Sequence, residues 1–123
     1  MASRLNTINP NEHQIQSAVI DWCALQGIPV FAIPNGGHRH VAVARKLQRE
    51  GVKPGVPDLM IPMMRGRYGG MFLELKSKGG TLRDVQKWWL NTLAYEGYWC
   101  AVAFGVDEAI EAIKTYVEDG DWG

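Results

Sequence analysis

The stretch GVPDLMIPMMRGRYGGMFLELKSK, residues 55–78, constrains this 123-residue chain more than any other. Two apolar runs, DLMIPMM and MFLELKSK, flank the turn-forming RGRYGG, so the segment reads as an antiparallel hairpin. Yet Asp58, Glu74 and Lys76 sit within strands of core composition. Side chains alternate along a strand, which puts Phe72, Glu74 and Lys76 on one face and Leu73 and Leu75 on the other. Asp58 follows Pro57 at the start of the first strand, and an antiparallel return lays that start beside the end of the second. Asp58 is thus carried toward Glu74 and Lys76, although the sequence does not fix the register.

Two converging carboxylates repel each other, and both stay ionised when a divalent cation sits between them. Carboxylate oxygens with room for water suit Mg²⁺ or Mn²⁺, whereas zinc prefers His or Cys. No zinc-ligand spacing occurs in the chain. A lysine beside such a centre positions an attacking water or stabilises developing negative charge. Taken singly, the residues admit a plainer assignment: a strand-start Asp and a surface Glu–Lys ion pair. Their combination favours the metal site.

The rest of the chain supplies helices and strands around this hairpin. EHQIQSAVIDWCALQ, with Ile15, Val19, Trp22, Cys23 and Gln26 on one side, is a helix that Gly27 ends. VFAIP is a short strand closed by Asn35-Gly36-Gly37. RHVAVARKLQRE is a basic helix stopped by Gly51. Thr81 caps a helix through WWLNTLAYE, with Asp84 in a capping-box position. YWCAVAFG reads as a buried strand, and VDEAIEAIKTYVE as an amphipathic helix with an acidic outer face. The order αβαββαβα predicts one α/β domain over residues 1–123, a mixed β-sheet flanked by helices. The strands within residues 71–105, if neighbours, form a parallel crossover.

The net charge is zero, but its distribution is not even. Residues 39–87 hold eleven basic residues against four acids, a local excess of seven positive charges. Residues 88–123 hold one basic residue against seven acids. A basic middle can attract a polyanion although the chain is neutral. No apolar run approaches the ~20 residues of a membrane span, and the N-terminal residues lack a secretory apolar core. Cys23 and Cys100 read as reduced thiols of a cytoplasmic protein.

The ordered set GVPDL, then LELK, then Gln86 before WWL resembles the VRR-NUC branch of the PD-(D/E)XK nucleases, in its small stand-alone phage or bacterial form. Glu12-x-x-x-Gln16 and IPNGG add to the likeness, which runs from about Glu12 to about Ile113. The resemblance implies a restriction-endonuclease-like core and a metal-dependent endonuclease acting on branched DNA, four-way junctions included, as a homodimer. It implies metal binding by Asp58, Glu74, the Leu75 carbonyl and Glu12, with Lys76 catalytic and Gln86 orienting Lys76 or the scissile phosphate. Helical spacing also places Glu12 within the apolar arc of Ile15, Val19 and Cys23, facing inward. Arg39, Arg45, Lys46, Arg49, Arg65, Arg67, Lys78, Arg83 and Lys87 are the expected DNA-backbone contacts. His38 and His40 either meet phosphate or lie on a solvated loop. Tyr95, Trp99 or Tyr116 is expected in an exposed apolar dimer patch, and Trp88 and Trp89 in the core or an interface rather than as base-stacking platforms. A sequence-neutral single-strand binder would want exposed aromatics along a basic groove, whereas the aromatics here read as lying on buried stripes. The alternative is a DNA-binding module of the same fold that does not cut.

Overall fold

The computed structural model describes residues 9–34 and 41–119. Helix α1, Glu12–Gln26, begins in a reciprocal cap. The Asn11 side chain accepts the Gln14 N–H at 2.8 Å, and the Gln14 side chain accepts the Asn11 N–H at 2.9 Å. Ile15, Ala18, Val19 and Cys23 are its buried stripe; Gln26, expected on that side, is exposed in the last turn. The strand expected over VFAIP contracts to β1, Phe31–Ala32. Helix α2, Val41–Arg49, follows, and none of its residues is buried.

The hairpin forms as β2, Leu59–Ile61, and β3, Met71–Lys76. β2 stops before Pro62, which has no N–H to give a ladder. Helix α3, Asp84–Tyr95, then leads to β4, Trp99–Phe104, and to α4, Val106–Lys114. A π-helical turn, Thr115–Asp119, continues α4. The sheet order is β1-β2-β3-β4, antiparallel except for the parallel β3–β4 pair. The mixed α/β architecture and the element order are those expected from the sequence.

Both faces of β3 are covered. Met71, Leu73 and Leu75 pack with Ile15, Val19 and Cys23 of α1 and with Ala109 and Ile113 of α4 in the apolar core. Phe72, Glu74 and Lys76 point the other way, toward α3. β4, expected to be a buried strand, lies at the sheet edge, and of its residues Ala103 alone is buried.

The end of the chain closes over the core. Tyr116 is fully buried, stacks on Trp99 at 5.4 Å between ring centres, and donates its hydroxyl to the Met63 carbonyl at 2.6 Å. Neither ring therefore forms the exposed patch expected of them, because both serve the apolar core. Tyr95 is the exposed one of the three. Cys23 and Cys100 are free thiols, and burial pushes both up to about 11.

Candidate active site

The hairpin ladder ends with Leu59 opposite Leu73, so the next position outward sets Asp58 against Glu74. Asp58 Oδ2 accepts the Leu75 N–H at 2.7 Å, continuing the ladder by a side chain. Its carbonyl accepts the Ile33 N–H at 2.8 Å, so β1 and β3 hold Asp58 between them. The preceding Gly55 has a φ of +86°, and a Cβ there would lie 2.7 Å from a Val85 methyl and 3.0 Å from the Val85 carbonyl carbon. Glycine therefore lets the loop before Asp58 lie directly against α3.

Glu74, Lys76 and Gln86 are the buried polar residues on this face, with Glu74 only 1% exposed. Gln86 ties the site to α3 by both ends of its amide. Its Nε2 donates to Glu74 Oε2 at 3.1 Å, and its Oε1 accepts the Arg83 N–H at 2.8 Å. The cap of α3 is thus made by Arg83 and Gln86, two residues later than the expected Thr81 and Asp84. Gln86 orients Glu74 rather than Lys76. The Lys76 stem runs beside Gly80, where a Cβ would stand 3.5 Å from Lys76 Cδ and 3.1 Å from the Ser77 carbonyl oxygen. The glycine turn packs over the stem.

Glu74 Oε1 is buried and has no hydrogen-bond partner. Burial pushes the Glu74 carboxyl up to about 8; the charge of Asp58 adds to the rise, Lys76 opposes it, and Glu12 and a hydrogen bond with Asp58 raise it further. Without a cation, burial and the charge of Asp58 favour the protonated form of Glu74. An orphan buried carboxylate oxygen beside a second carboxylate is also the donor set that a hard divalent ion satisfies. Among the described residues no three His, Cys, Asp or Glu side chains gather as a ligand cluster. The nucleus is therefore a carboxylate pair. Glu12, expected to face inward, is exposed in the first turn of α1. Its charge still acts on Glu74.

The basic residues divide into groups. Lys78, Arg83 and Lys87 are exposed just beyond β3 and in the first turns of α3, at the carboxylate end. Arg45, Lys46 and Arg49 are exposed on α2. Arg65 and Arg67 lie in the hairpin turn, at the opposite end of β3. Arg65 is also engaged, donating from Nε to the Val117 carbonyl at 3.0 Å and from Nη1 to the Met64 carbonyl at 2.7 Å. Arg39, His38, His40 and the Asn35-Gly36-Gly37 turn lie outside the described residues. Sequence reasoning missed the contact of Gly55 with Val85 and the Gln86–Arg83 bond. A glycine two residues before Pro57 and a Gln three residues after a non-capping Arg were the available signals.

The VRR-NUC domain profile matches residues 10–107. A solved structure described as a VRR_NUC domain protein is 31% identical, with 95% of this chain and 96% of that chain covered and a TM-score of 0.79. A second, described as a VRR_NUC domain, is 18% identical over 85% of this chain and 96% of its own, with a TM-score of 0.59, and supports the fold alone. No curated protein matches. With most of its length under that profile and Asp58, Glu74 and Gln86 assembled at one end of the sheet, the chain belongs to the VRR-NUC family of nuclease-type domains.

Proposed function

We propose that this VRR-NUC domain is a metal-dependent DNA endonuclease that hydrolyses phosphodiester bonds and prefers branched DNA. The observation that carries the reading is the buried, unpartnered Oε1 of Glu74 beside Asp58. Asp58, Glu74 and the Leu75 carbonyl would hold Mg²⁺ or Mn²⁺, with the charge of Glu12 acting on Glu74. When bound, the cation supplies a Lewis acid that neutralises the scissile phosphate and lowers the pKa of a coordinated water.

The chain's own groups do the rest. Gln86 holds Glu74 Oε2, which leaves Oε1 for the cation side. Lys76 shares the strand face of Glu74, and its ammonium orients the nucleophile or stabilises charge on the phosphate. Lys78, Arg83 and Lys87 supply phosphate contacts that position DNA without reading its sequence. Two copies, related by a twofold axis, would engage two strands of a branch.

Gel-resolved cleavage tests this on a labelled four-way junction, a flap and a plain duplex, each with Mg²⁺, Mn²⁺ or EDTA. Metal-dependent cutting of branched DNA that Lys76→Ala abolishes is expected. Binding to all three with no cutting in either metal contradicts the reading and leaves a non-cleaving module. Sedimentation is expected to give twice the 13.7 kDa chain mass; a monomer contradicts the dimer.

A further inference from the structure

Trp88, expected in the core or an interface, and Tyr95, expected in an exposed patch, both face outward on α3. Trp88 is 58% exposed and Tyr95 89% exposed. They are seven residues apart, so they stand in line on the helix surface, ~10.5 Å apart along its axis. Both lie on the side opposite Gln86, because those positions are about half a turn away from it. The neighbouring helix surface is polar, with Lys87 and Asn91 exposed.

The row leads somewhere. Where α3 ends, a cleft of about 380 Å³ opens, lined by Arg67, Tyr68, Ala94, Gly97, Tyr98 and Trp99 among others. Tyr95 lies between two of these lining residues in sequence. The exposed Arg67 guanidinium sits 5.3 Å from the centre of the Tyr68 ring. Tyr98 meets Phe72 edge to face at 5.0 Å, which fixes its ring. A cation among aromatic faces, in a volume of small-ligand size, suits a flat base joined to a phosphate.

The placement gives this surface a direction. The first turn of α3 carries Gln86, bonded to Glu74, and its last turn reaches the cleft, about 13.5 Å away by helical rise. Cations begin and end the path: Arg83 and Lys87 near the carboxylates, and Arg67 at the cleft. Asp84 and Glu96 are the exposed acids of the helix ends. Basic groups that track a backbone, interleaved with open aromatic rings, are what sequence-neutral binding of a single strand requires.

We infer that an unpaired DNA strand lies along the outer side of α3, its bases stacking on Trp88 and Tyr95 and one nucleotide entering the Arg67–Tyr68–Tyr98 cleft. The inference rests on the nuclease reading for where the strand comes from. The binding itself does not depend on cutting.

The test is fluorescence anisotropy in EDTA, where hydrolysis is absent, with a labelled short oligothymidine and a labelled duplex of equal length. Trp88→Ala, Tyr95→Ala and Arg67→Ala alter exposed side chains, and circular dichroism verifies their fold. Each is expected to weaken single-strand binding about fivefold or more, the scale of a lost base–aromatic contact, and to leave duplex binding within about twofold. Equal loss on both DNAs, or no loss on either, overturns the inference. So does displacement of the oligomer by thymidine monophosphate as effective as by unlabelled oligomer, which would make the cleft a site for free nucleotides. A dimer of the parent chain that Trp88→Ala or Tyr95→Ala dissociates also overturns it, since the row would then face a second copy. Selective single-strand binding by a protein that never cuts DNA would support the inference while refuting the nuclease reading.

Discussion

The two faces of β3 are built from one six-residue strand and are almost equally buried, yet their chemistry is opposite. On one face Met71, Leu73 and Leu75 meet α1 and α4 in a core without charge. On the other, Glu74 and Lys76 are buried under α3, and one carboxylate oxygen has no partner. Burying a polar group without a partner costs free energy. The first face therefore stabilises the domain, and the second draws on that stability to hold two acids together. The strand can carry both because alternation separates them by a single residue.

Breaking the functional face gives the largest expected effect. Asp58→Ala or Glu74→Ala should lower DNA cleavage by at least about 10²-fold, the scale of losing one group that stabilises a transition state. Folding should persist by circular dichroism. Full activity in either variant would remove that residue from the metal site. Breaking the structural face should do the reverse. Leu73→Ala should destabilise the protein by about 2–5 kcal/mol, measured by urea unfolding, while cleavage per folded molecule stays close to that of the parent.

A pH series sharpens the contrast. Glu74 keeps its proton up to about 8 when folded, against an ordinary value of 4.5. In the interval between, the folded state binds more protons than the unfolded chain. The stability of the metal-free protein should therefore fall as pH rises from about 4.5 to about 8, by an amount on the order of a few kcal/mol. Glu74→Gln removes the titrating charge, and its unfolding midpoint in EDTA should be higher at pH 8 and less dependent on pH. A parent protein with a flat profile would contradict the assigned environment of Glu74. Gln86→Ala should give a smaller effect, about tenfold in cleavage, because it frees Glu74 Oε2 without removing a ligand. An unchanged rate would limit Gln86 to capping α3.

Much of this arrangement was legible in the sequence, for reasons that particular residues make plain. Alternation alone put Glu74 and Lys76 together, and the hairpin turn brought Asp58 beside them. Charge counting alone does not place Arg65 and Arg67. They belong to the basic middle of the chain, but the same hairpin that delivers Asp58 to the carboxylate end carries them to the other end. Glu12 falls on the apolar arc of its helix, yet an arc does not fix burial, since Glu12 is exposed while Ile15, three residues on, is fully buried. Thr81 and Asp84 form a good capping pattern that lost to a tertiary bond, since Gln86 satisfies the helix end and Glu74 at once. Composition puts Trp88 in the core or an interface, although it is exposed like Tyr95. Their exposure depends on which side of α3 the buried Gln86 selects.

The most direct test of the central claim is calorimetric titration of Mn²⁺ into the parent protein and Glu74→Gln, in two buffers of different ionisation enthalpy. The account predicts that the parent binds Mn²⁺ and releases a proton on binding near pH 7, as the proton of Glu74 is displaced. It predicts that Glu74→Gln loses most of that affinity and releases no proton. Equal Mn²⁺ binding by both proteins, or none by either, would contradict the assignment of Asp58 and Glu74 as a cation site.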